Sequence, residues 1–372
     1  MRAIGIILAG GNNYRMKELS QKRAIAAMPI GGSYRSIDFA LSNMTNSRIT
    51  RVGVLTQFNA RSLNEHLSSS KWWNFGRKQG GLFVFNPTVT NDNGFWYRGT
   101  ADSIYQNIGF LKESHEPYVV IASGDAVYKL DYGKVLEYHI DKKADITVVC
   151  KDIQINNDGG RYGIIKMNED CRIEQFDEKP MVAHTNTVSC GIYVIRRRQL
   201  IELIEKCAEE ERFDFVRDVL IRYIDSKKIY GYKMNDYWSN IASVDDYYKT
   251  NMDFLNPDVR NYFYKEYPAV YSKVDDLPPA KYNYGSNVKN SLVSSGSIIN
   301  GNVENSILFK KVFVGNNCTI KNSIILNDVY IGDNSVIENC IVESRGTIRA
   351  GSVFKGEEGV KVVLEQNERY VF

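Results

Sequence analysis

Two glycines close the first apolar run of the chain, and an arginine follows shortly after: Leu8-Ala9-Gly10-Gly11-Asn12-Asn13-Tyr14-Arg15. Glycines after a strand let backbone N–H groups approach a polyphosphate, and an arginine can then grip its oxygens through two donors. The same residues also make a plain tight exit from a strand, so the motif permits phosphate binding without requiring it. Other reactive residue types are arranged less suggestively. His66, His115, His139 and His184 are scattered without metal-ligand spacing, which suits surface or satisfied core histidines. Cys150, Cys171, Cys190, Cys207, Cys318 and Cys340 form no CxxC pair, and several sit inside apolar runs where a buried thiol is expected.

The elements that must position these residues come in two kinds. Up to about residue 255, β-rich runs (Ala3 to Leu8, Arg51 to Thr56, Tyr118 to Ala122, Asp145 to Cys150, Ser189 to Ile195) alternate with amphipathic stretches (Ala101 to Glu113, Tyr132 to Lys142, Arg198 to Glu210, Val244 to Leu255). Such interleaving predicts an open, mostly parallel sheet covered by helices, an α/β Rossmann-like architecture. The pattern breaks over 256–284, which holds Pro257, Pro268, Pro278 and Pro279 and reads as a linker. Beyond it, over 285–372, the helical period gives way to an internal repeat. Asn305-Ser306-Ile307-Leu308 is answered by Asn322-Ser323-Ile324-Ile325 and by Asn339-Cys340-Ile341-Val342, a period of 17 residues. That spacing is near three six-residue units, each with one inward aliphatic side chain and a Gly/Asn corner, and it predicts a parallel β-helix.

Composition narrows the classes. A chain of 372 residues exceeds what one core usually supports, so two domains are expected. With 43% hydrophobic and 24% charged residues it has the profile of a folded globular protein. A net charge of +3, and no basic block beyond Arg196-Arg197-Arg198, argue against nucleic acid as a partner. The opening MRAIGIILAGG suits a buried first strand better than a signal peptide or membrane span, so a cytoplasmic protein with no membrane partner is expected.

The motifs, taken together, resemble a family. Gly10-Gly11 through Arg15, then Lys22-Arg23-Ala24-Ile25-Ala26-Ala27-Met28-Pro29-Ile30-Gly31-Gly32, is similar to the GGxGxRL and KPAVPxGG motifs of sugar-nucleotide pyrophosphorylases. Tyr34-Arg35-Ser36-Ile37-Asp38-Phe39-Ala40-Leu41-Ser42-Asn43, Gly53-Val54-Leu55-Thr56-Gln57 and the block from Trp96 to Asn107 bring it nearest to the glucose-1-phosphate adenylyltransferases. So do Ser123-Gly124-Asp125, Phe176-Asp177-Glu178-Lys179-Pro180, Ser189-Cys190-Gly191-Ile192-Tyr193 and Asp236-Tyr237-Trp238. The likeness spans nearly the whole chain and implies a left-handed β-helix for the C-terminal domain. It also implies a reaction: MgATP and glucose 1-phosphate give ADP-glucose and pyrophosphate by in-line attack on the α-phosphorus, helped by cations, backbone amides and carboxylate-held magnesium.

Carried over residue by residue, the resemblance implies nucleotide contacts at Gly10, Gly11, Arg15, Gln57, Tyr97, Gly99 and Thr100. It implies sugar-phosphate contacts at Gly163, Glu178, Lys179 and Ser189, and a magnesium-binding, catalytic carboxylate at Asp125. Tyr97, Gly99 and Thr100 also read as an ordinary strand-to-helix junction, and Asp125 as a turn cap. Several positions depart from the family, among them Ala26 for the proline of the second motif and Ala126 for a histidine after Asp125, and three bear most on phosphate and metal. Asn13 replaces the third glycine of the opening loop, where it can adopt a left-handed turn but adds a side chain beside the phosphate. Ile25 stands for the motif's lysine. Asn240, in Trp238-Ser239-Asn240-Ile241-Ala242-Ser243, stands for the aspartate that would partner Asp125.

Intact sugar-phosphate positions beside depleted nucleotide and metal positions imply the regulatory, GlgD-type subunit of the family. Such a subunit would be weak or inactive alone and would join a catalytic adenylyltransferase subunit in a hetero-oligomer, a tetramer, for glycogen synthesis. Glucose 1-phosphate is then the expected ligand, with ATP or ADP-glucose as further candidates, and magnesium binding is in question. One rival is a competent adenylyltransferase. Another is a non-enzymatic sugar-phosphate-binding or interaction protein. An acetyltransferase built on the β-helix is disfavoured because no histidine lies beyond His184.

Overall fold

The computed structural model describes residues 2–76, 80–89, 94, 96–155 and 159–364, so the final stretch of the expected β-helix domain, 365–372, lies outside the described residues. The chain divides into two compact units that are not contiguous in sequence. The first comprises Met1–Gly11, Ala24–Ala26 and Phe39–Asn240; the second comprises Asn12–Arg23, Ala27–Asp38 and Ile241–Phe372.

The first unit is built on a nine-stranded mixed sheet. Ala3–Leu8 lies between Arg51–Leu55 and Tyr118–Ser123, parallel to both, and Gly81–Phe85 adds a parallel strand beyond Arg51–Leu55. On the other side Thr187–Arg196 runs antiparallel to Tyr118–Ser123, to Ile146–Asp152 and to Gly163–Met167, and Ile173–Glu178 pairs antiparallel with Gly163–Met167 as its hairpin partner. This is the open α/β sheet the alternating pattern predicts. Ile4, Ile6, Val119, Ile121, Ile146, Val148 and Ile195 line its core with the helix residues Leu200, Leu203 and Ile204. The stretch Ala101 to Glu113 is not one helix: Thr100–Gln106 and Ile108–Lys112 are separated at Asn107. There the Asn107 amide donates to Ser103 O at 2.8 Å and to the Tyr97 hydroxyl at 2.9 Å, and a side chain that competes for backbone acceptors interrupts the ladder.

The second unit carries three five-stranded parallel sheets, the three faces of the expected left-handed β-helix. Asn302, Thr319, Val336 and Val353 align from coil to coil at 17-residue steps, whereas the first step, Asn287 to Asn302, takes 15. Ile299, Val303, Val314, Ile320, Ile331, Ile337 and Ile348 fill its core. The repeated Asn-Ser (Asn-Cys) pairs now have physical causes. Asn305, Asn322 and Asn339 turn the same corner at φ 46°, 46° and 53°, the left-handed region that asparagine tolerates. Beside them a hydroxyl ladder runs between coils: Ser323 N donates to Ser306 Oγ at 3.1 Å and Cys340 N to Ser323 Oγ at 3.2 Å. Within 256–284, read from the sequence as a linker, Pro257–Tyr264 forms a helix capped by the Asn256 side chain, and Lys281–Tyr282 is the first strand of the coils.

Early residues of the chain are built into this second unit. Gly31 N donates to Asn251 Oδ1 at 3.0 Å, Tyr247 Oη to Pro29 O at 2.7 Å, and Ser294 Oγ to Gly32 O at 2.8 Å. Arg23, partly buried, forms an ion pair with the buried Glu343. All six cysteines are free thiols. Among the described residues no helix is long and apolar enough to cross a membrane.

Candidate functional site

In the first unit the strand Ala3–Leu8 delivers Gly10 to the Thr56–Gln57 segment, where a Cβ on Gly10 would meet Gln57 Cβ at 3.2 Å, while Gly11 faces open space. The Gln57 amide binds both backbone groups of Tyr97: Tyr97 N donates to Oε1 at 2.6 Å and Nε2 donates to Tyr97 O at 3.2 Å. Burial raises the Tyr97 hydroxyl's pKa, against the lowering effect of the Asn107 hydrogen bond. Gly99 is extended, and a Cβ there would lie 2.3 Å from Phe213 O. Its absence lets that carbonyl reach the start of the helix and accept from Ala101 N at 2.8 Å, satisfying an N–H that has no intrahelical partner. The Thr100 hydroxyl accepts from Phe215 N at 2.9 Å. Gln57, Tyr97, Gly99 and Thr100 thus form one hydrogen-bonded junction, and its nearest polar groups are occupied by the chain itself.

Asp125 follows the strand Tyr118–Ser123 and accepts a hydrogen bond from Ser123 Oγ. Burial pushes its carboxyl above the ordinary range, while the Ser123 bond, its own backbone N–H and the Lys179 ammonium pull the other way. Next to it Ala126 pairs with Asn240 across the two-stranded ladder of Ala126–Tyr128 and Trp238–Asn240. Asn240 is thus one register position away from Asp125 along the backbone, and its Oδ1 is buried without a hydrogen-bond partner. The indole Nε1 of Trp238 is likewise buried and unpartnered. Ile25 is a core residue, 6% exposed, in the turn Ile25–Ala27.

The hairpin of Gly163–Met167 and Ile173–Glu178 places Glu178 opposite Gly163. A Cβ on Gly163 would lie 2.7 Å from the Phe176 ring and 3.2 Å from Glu178 Oε2, so only glycine leaves the carboxylate its place. Lys179 turns the chain at φ 52° and sets its Nζ 3.6 Å from Glu178 Oε1. Burial raises the Glu178 pKa, the Lys179 ammonium lowers it, Asp214 raises it and Arg217 lowers it. Ser189 stands at a bulge in Thr187–Arg196, where its Oγ accepts from Gly191 N at 3.3 Å. Tyr193 belongs to the same group: burial raises its hydroxyl pKa, a Ser189 hydrogen bond opposes the rise, and Glu178 and Asp214 add to it. One ammonium, that of Lys179, acts on both Asp125 and Glu178.

The structure therefore brings Asp125, Gly163, Glu178, Lys179 and Ser189 into one charged neighbourhood, adds Tyr193, Asp214 and Arg217 to it, and leaves Asn240 connected to it only through the backbone ladder with Ala126. Asp214 and Arg217 had no signal in the sequence beyond their charge. Asn13 and Arg15 belong to the second unit. Asn13 is extended, φ −132°, rather than left-handed. Its side chain caps the turn Tyr14–Ser20 by accepting from Arg15 N at 3.1 Å, and donates to Ala242 O at 2.7 Å. Those two bonds need an amide that glycine lacks. Arg15 packs over the exposed Tyr14 ring, 5.9 Å from its centroid. Among the described residues no group of three or more His, Cys, Asp or Glu could hold a metal ion.

Residues 4–256 match the nucleotidyl transferase family, and residues 278–359 match the GlmU-like, C-terminal hexapeptide family. The glucose-1-phosphate adenylyltransferase of Bacillus subtilis (strain 168) is 38% identical over 373 residues, covering 100% of this chain and 98% of that protein. That of Clostridium novyi (strain NT) is 38% identical over 320 residues, covering 85% of this chain and 84% of its own length. The glucose-1-phosphate adenylyltransferase of Mycoplasma mobile (strain ATCC 43663 / 163K / NCTC 11711) is 36% identical over 324 residues, with 85% and 84% covered.

Proposed function

This chain belongs to the glucose-1-phosphate adenylyltransferase family, and from that premise we propose that it is the regulatory, GlgD-type subunit, which binds sugar phosphate and tunes a catalytic partner. The observation that carries the reading is Ile25: where the family aims a lysine at phosphate, this chain has an aliphatic side chain packed into the core. Converting ATP to ADP-glucose builds negative charge on phosphate oxygens, and a preorganised cation in a dry site is worth about 10²- to 10³-fold in rate.

Lys179 and Arg217 supply positive charge for the phosphate of glucose 1-phosphate, and the carboxylates Glu178 and Asp214 with the Ser189 and Tyr193 hydroxyls suit its sugar hydroxyls. Magnesium, which nucleotidyltransferases of this family use, would neutralise the triphosphate. The donors here do not fit a firmly held ion. Asp125 is one carboxylate whose ionisation burial opposes, and the unpartnered oxygen one register position away belongs to a neutral amide, Asn240. Binding of the sugar phosphate with poor adenylyl transfer is what remains, which is the profile of a helper subunit acting in a hetero-oligomer for α-glucan synthesis.

The test is pyrophosphate release by the purified chain, alone and co-expressed with a catalytic adenylyltransferase subunit. Little turnover alone, with a changed maximal rate or substrate affinity of the catalytic subunit in the mixture, is expected. Brisk ADP-glucose synthesis by the isolated chain would overturn the reading in favour of a competent enzyme.

A further inference from the structure

The strand Trp238–Asn240 is reached through a short turn that is held from outside itself. Ile229–Lys233 runs parallel to Ile146–Asp152, and just beyond it Met234 N still donates to Cys150 O at 2.9 Å. There the pairing stops. Asn235 and Asp236 are exposed and make no backbone–backbone hydrogen bond among the described residues. What holds them is the Lys151 ammonium, which donates to Asn235 O at 3.0 Å and to Asp236 O at 2.5 Å. Hydrogen bonds from a charged donor are about twice as strong as neutral ones. An exposed turn can leave its carbonyls to water, whereas one ammonium shared by two consecutive carbonyls fixes the direction in which the chain leaves.

Lys151 is committed to these carbonyls because the carboxylate next to it is engaged elsewhere. Asp152 Oδ1 accepts from Thr187 Oγ1, and Asp152 Oδ2 pairs with Lys233 Nζ at 3.0 Å. The Thr187 bond, then the Lys233 bond, hold the Asp152 carboxyl below its ordinary range.

What the turn delivers is Trp238. Its ring centroid lies 6.0 Å from that of Tyr162, and Tyr162 O accepts from Lys179 N at 3.1 Å. The indole therefore packs against the segment that leads into Gly163, opposite Glu178, and that fixes the backbone of Lys179. Its Nε1 is buried without an acceptor, a state that native structures rarely leave without a purpose. Lys151 itself stands in register with Val188, one residue before Ser189.

We propose that Lys151 is a positioning residue for the sugar-phosphate side: by clasping Asn235 and Asp236 it sets Trp238 against Tyr162, and through Tyr162 the end of the hairpin that bears Lys179. This rests on the sugar-phosphate reading above. Without the clasp both carbonyls turn to water, and Trp238 keeps only its ladder with Tyr128 and its ring contact. The competing role is fold stability alone, in which the site would not register the loss of the ammonium.

Calorimetric titration of glucose 1-phosphate into the full chain and its variants, arranged as a double-mutant cycle, separates the two. Lys151→Met keeps the aliphatic stem and removes the charge; it should weaken binding about five- to ten-fold, within the range that coupled neighbours show. Lys151→Arg, whose fork can serve both carbonyls, should restore the affinity to within about two-fold. In a Trp238→Leu background Lys151→Met should cost nothing further, because its effect passes through the indole. Without ligand, the Trp238 indole N–H resonance, identified by its disappearance in Trp238→Leu, should shift in Lys151→Met and return in Lys151→Arg. Should Lys151→Met not fold, Lys151→Gln, too short to span both carbonyls, takes its place. A parent chain that binds glucose 1-phosphate while Lys151→Met binds it equally well overturns this proposal alone. So does a loss that adds in full to that of Trp238→Leu. A parent chain that binds no glucose 1-phosphate overturns the sugar-phosphate reading, and this proposal with it.

Discussion

Two neighbouring regions of the first unit differ sharply in charge. Around Glu178 the chain gathers Lys179, Asp214 and Arg217 with the Ser189 and Tyr193 hydroxyls, and their mutual influence on ionisation shows that they lie within electrostatic reach. Around Asp125 the companions are Asn240, which is neutral, and a single shared ammonium. Ile25, the family's lysine position, contributes only apolar packing. On the proposed reading, the contrast teaches that a sheet of this kind would support its two substrate sides through separate side chains. The hairpin that places Glu178 depends on Gly163 and Phe176, and nothing in its packing requires a cation at position 25. One side can therefore fade while the other, and the fold, persist.

The largest expected effect comes from reversing the depletion. Asn13→Gly, Ile25→Lys and Asn240→Asp together should raise adenylyl transfer by the isolated chain by about 10²-fold or more, followed as pyrophosphate release. Because Ile25 is buried, the lysine should also cost about 3 kcal/mol or more of unfolding free energy unless it finds a phosphate. No gain in transfer by a folded triple variant would mean that the contrast is wider than these three residues. Lys179→Met attacks the other region. It should weaken glucose 1-phosphate binding by roughly 10- to 100-fold, about the worth of one or two charge-assisted hydrogen bonds, in calorimetric titration. An unchanged affinity would dissolve the distinction between a preserved and a depleted side.

The smallest effect calibrates the pH axis on which both regions must be compared. His139, outside both, is 1% exposed, bonds Thr147 Oγ1 through Nδ1 at 2.8 Å and leaves Nε2 buried without a partner. Burial, with Arg196 adding to it against Asp145, pushes its pKa down to about 4. The folded chain then resists protonation that the unfolded chain accepts near pH 6.5, so stability falls as pH drops from the unfolded value towards the folded one. The expected loss between pH 7 and pH 5 is about 2 kcal/mol. Urea unfolding at the two pH values should show it in the parent and not in His139→Phe; equal slopes would assign the acid sensitivity to groups other than His139, and not to Asp125 or Glu178, whose raised pKa values favour the folded chain as pH drops.

Much of this was legible in the residues. The strands of aliphatic runs, such as Ala3–Leu8 and Tyr118–Ser123, announce themselves because both faces are buried. Gly163–Met167 and Ile173–Glu178 do not. They mix buried and exposed residues over a short span without a regular period, yet they form the hairpin that carries Glu178. The 17-residue repeat was visible because each Asn has a corner to turn. The first coil escaped it although Asn290-Ser291-Leu292-Val293 carries the same signature and Asn290 turns the same corner at φ 41°, because its step to Asn305 is two residues short of the period. Within the site, motif letters located Asp125 and Glu178. They could not reveal that Asn13 is extended and holds Ala242, or that Gln57 is spent on the backbone of Tyr97, because both depend on partners distant in sequence.

The discontinuity of the second unit bears on how the polypeptide comes to be made. Residues 27–38 leave the ribosome early, but Asn251, Ser294 and, for Arg23, Glu343 are translated long afterwards. Until then the groups that tie that segment to Asn251, Ser294 and Glu343 lack those partners, and loop closure over so many residues is slow. Shortened forms ending before the coils would strand the nascent Arg23-to-Asp38 region with apolar and polar groups unmatched. Such fragments should be poor folders, and release of the completed chain, rather than emergence of its first half, is the event that lets the amino-terminal segment find its place.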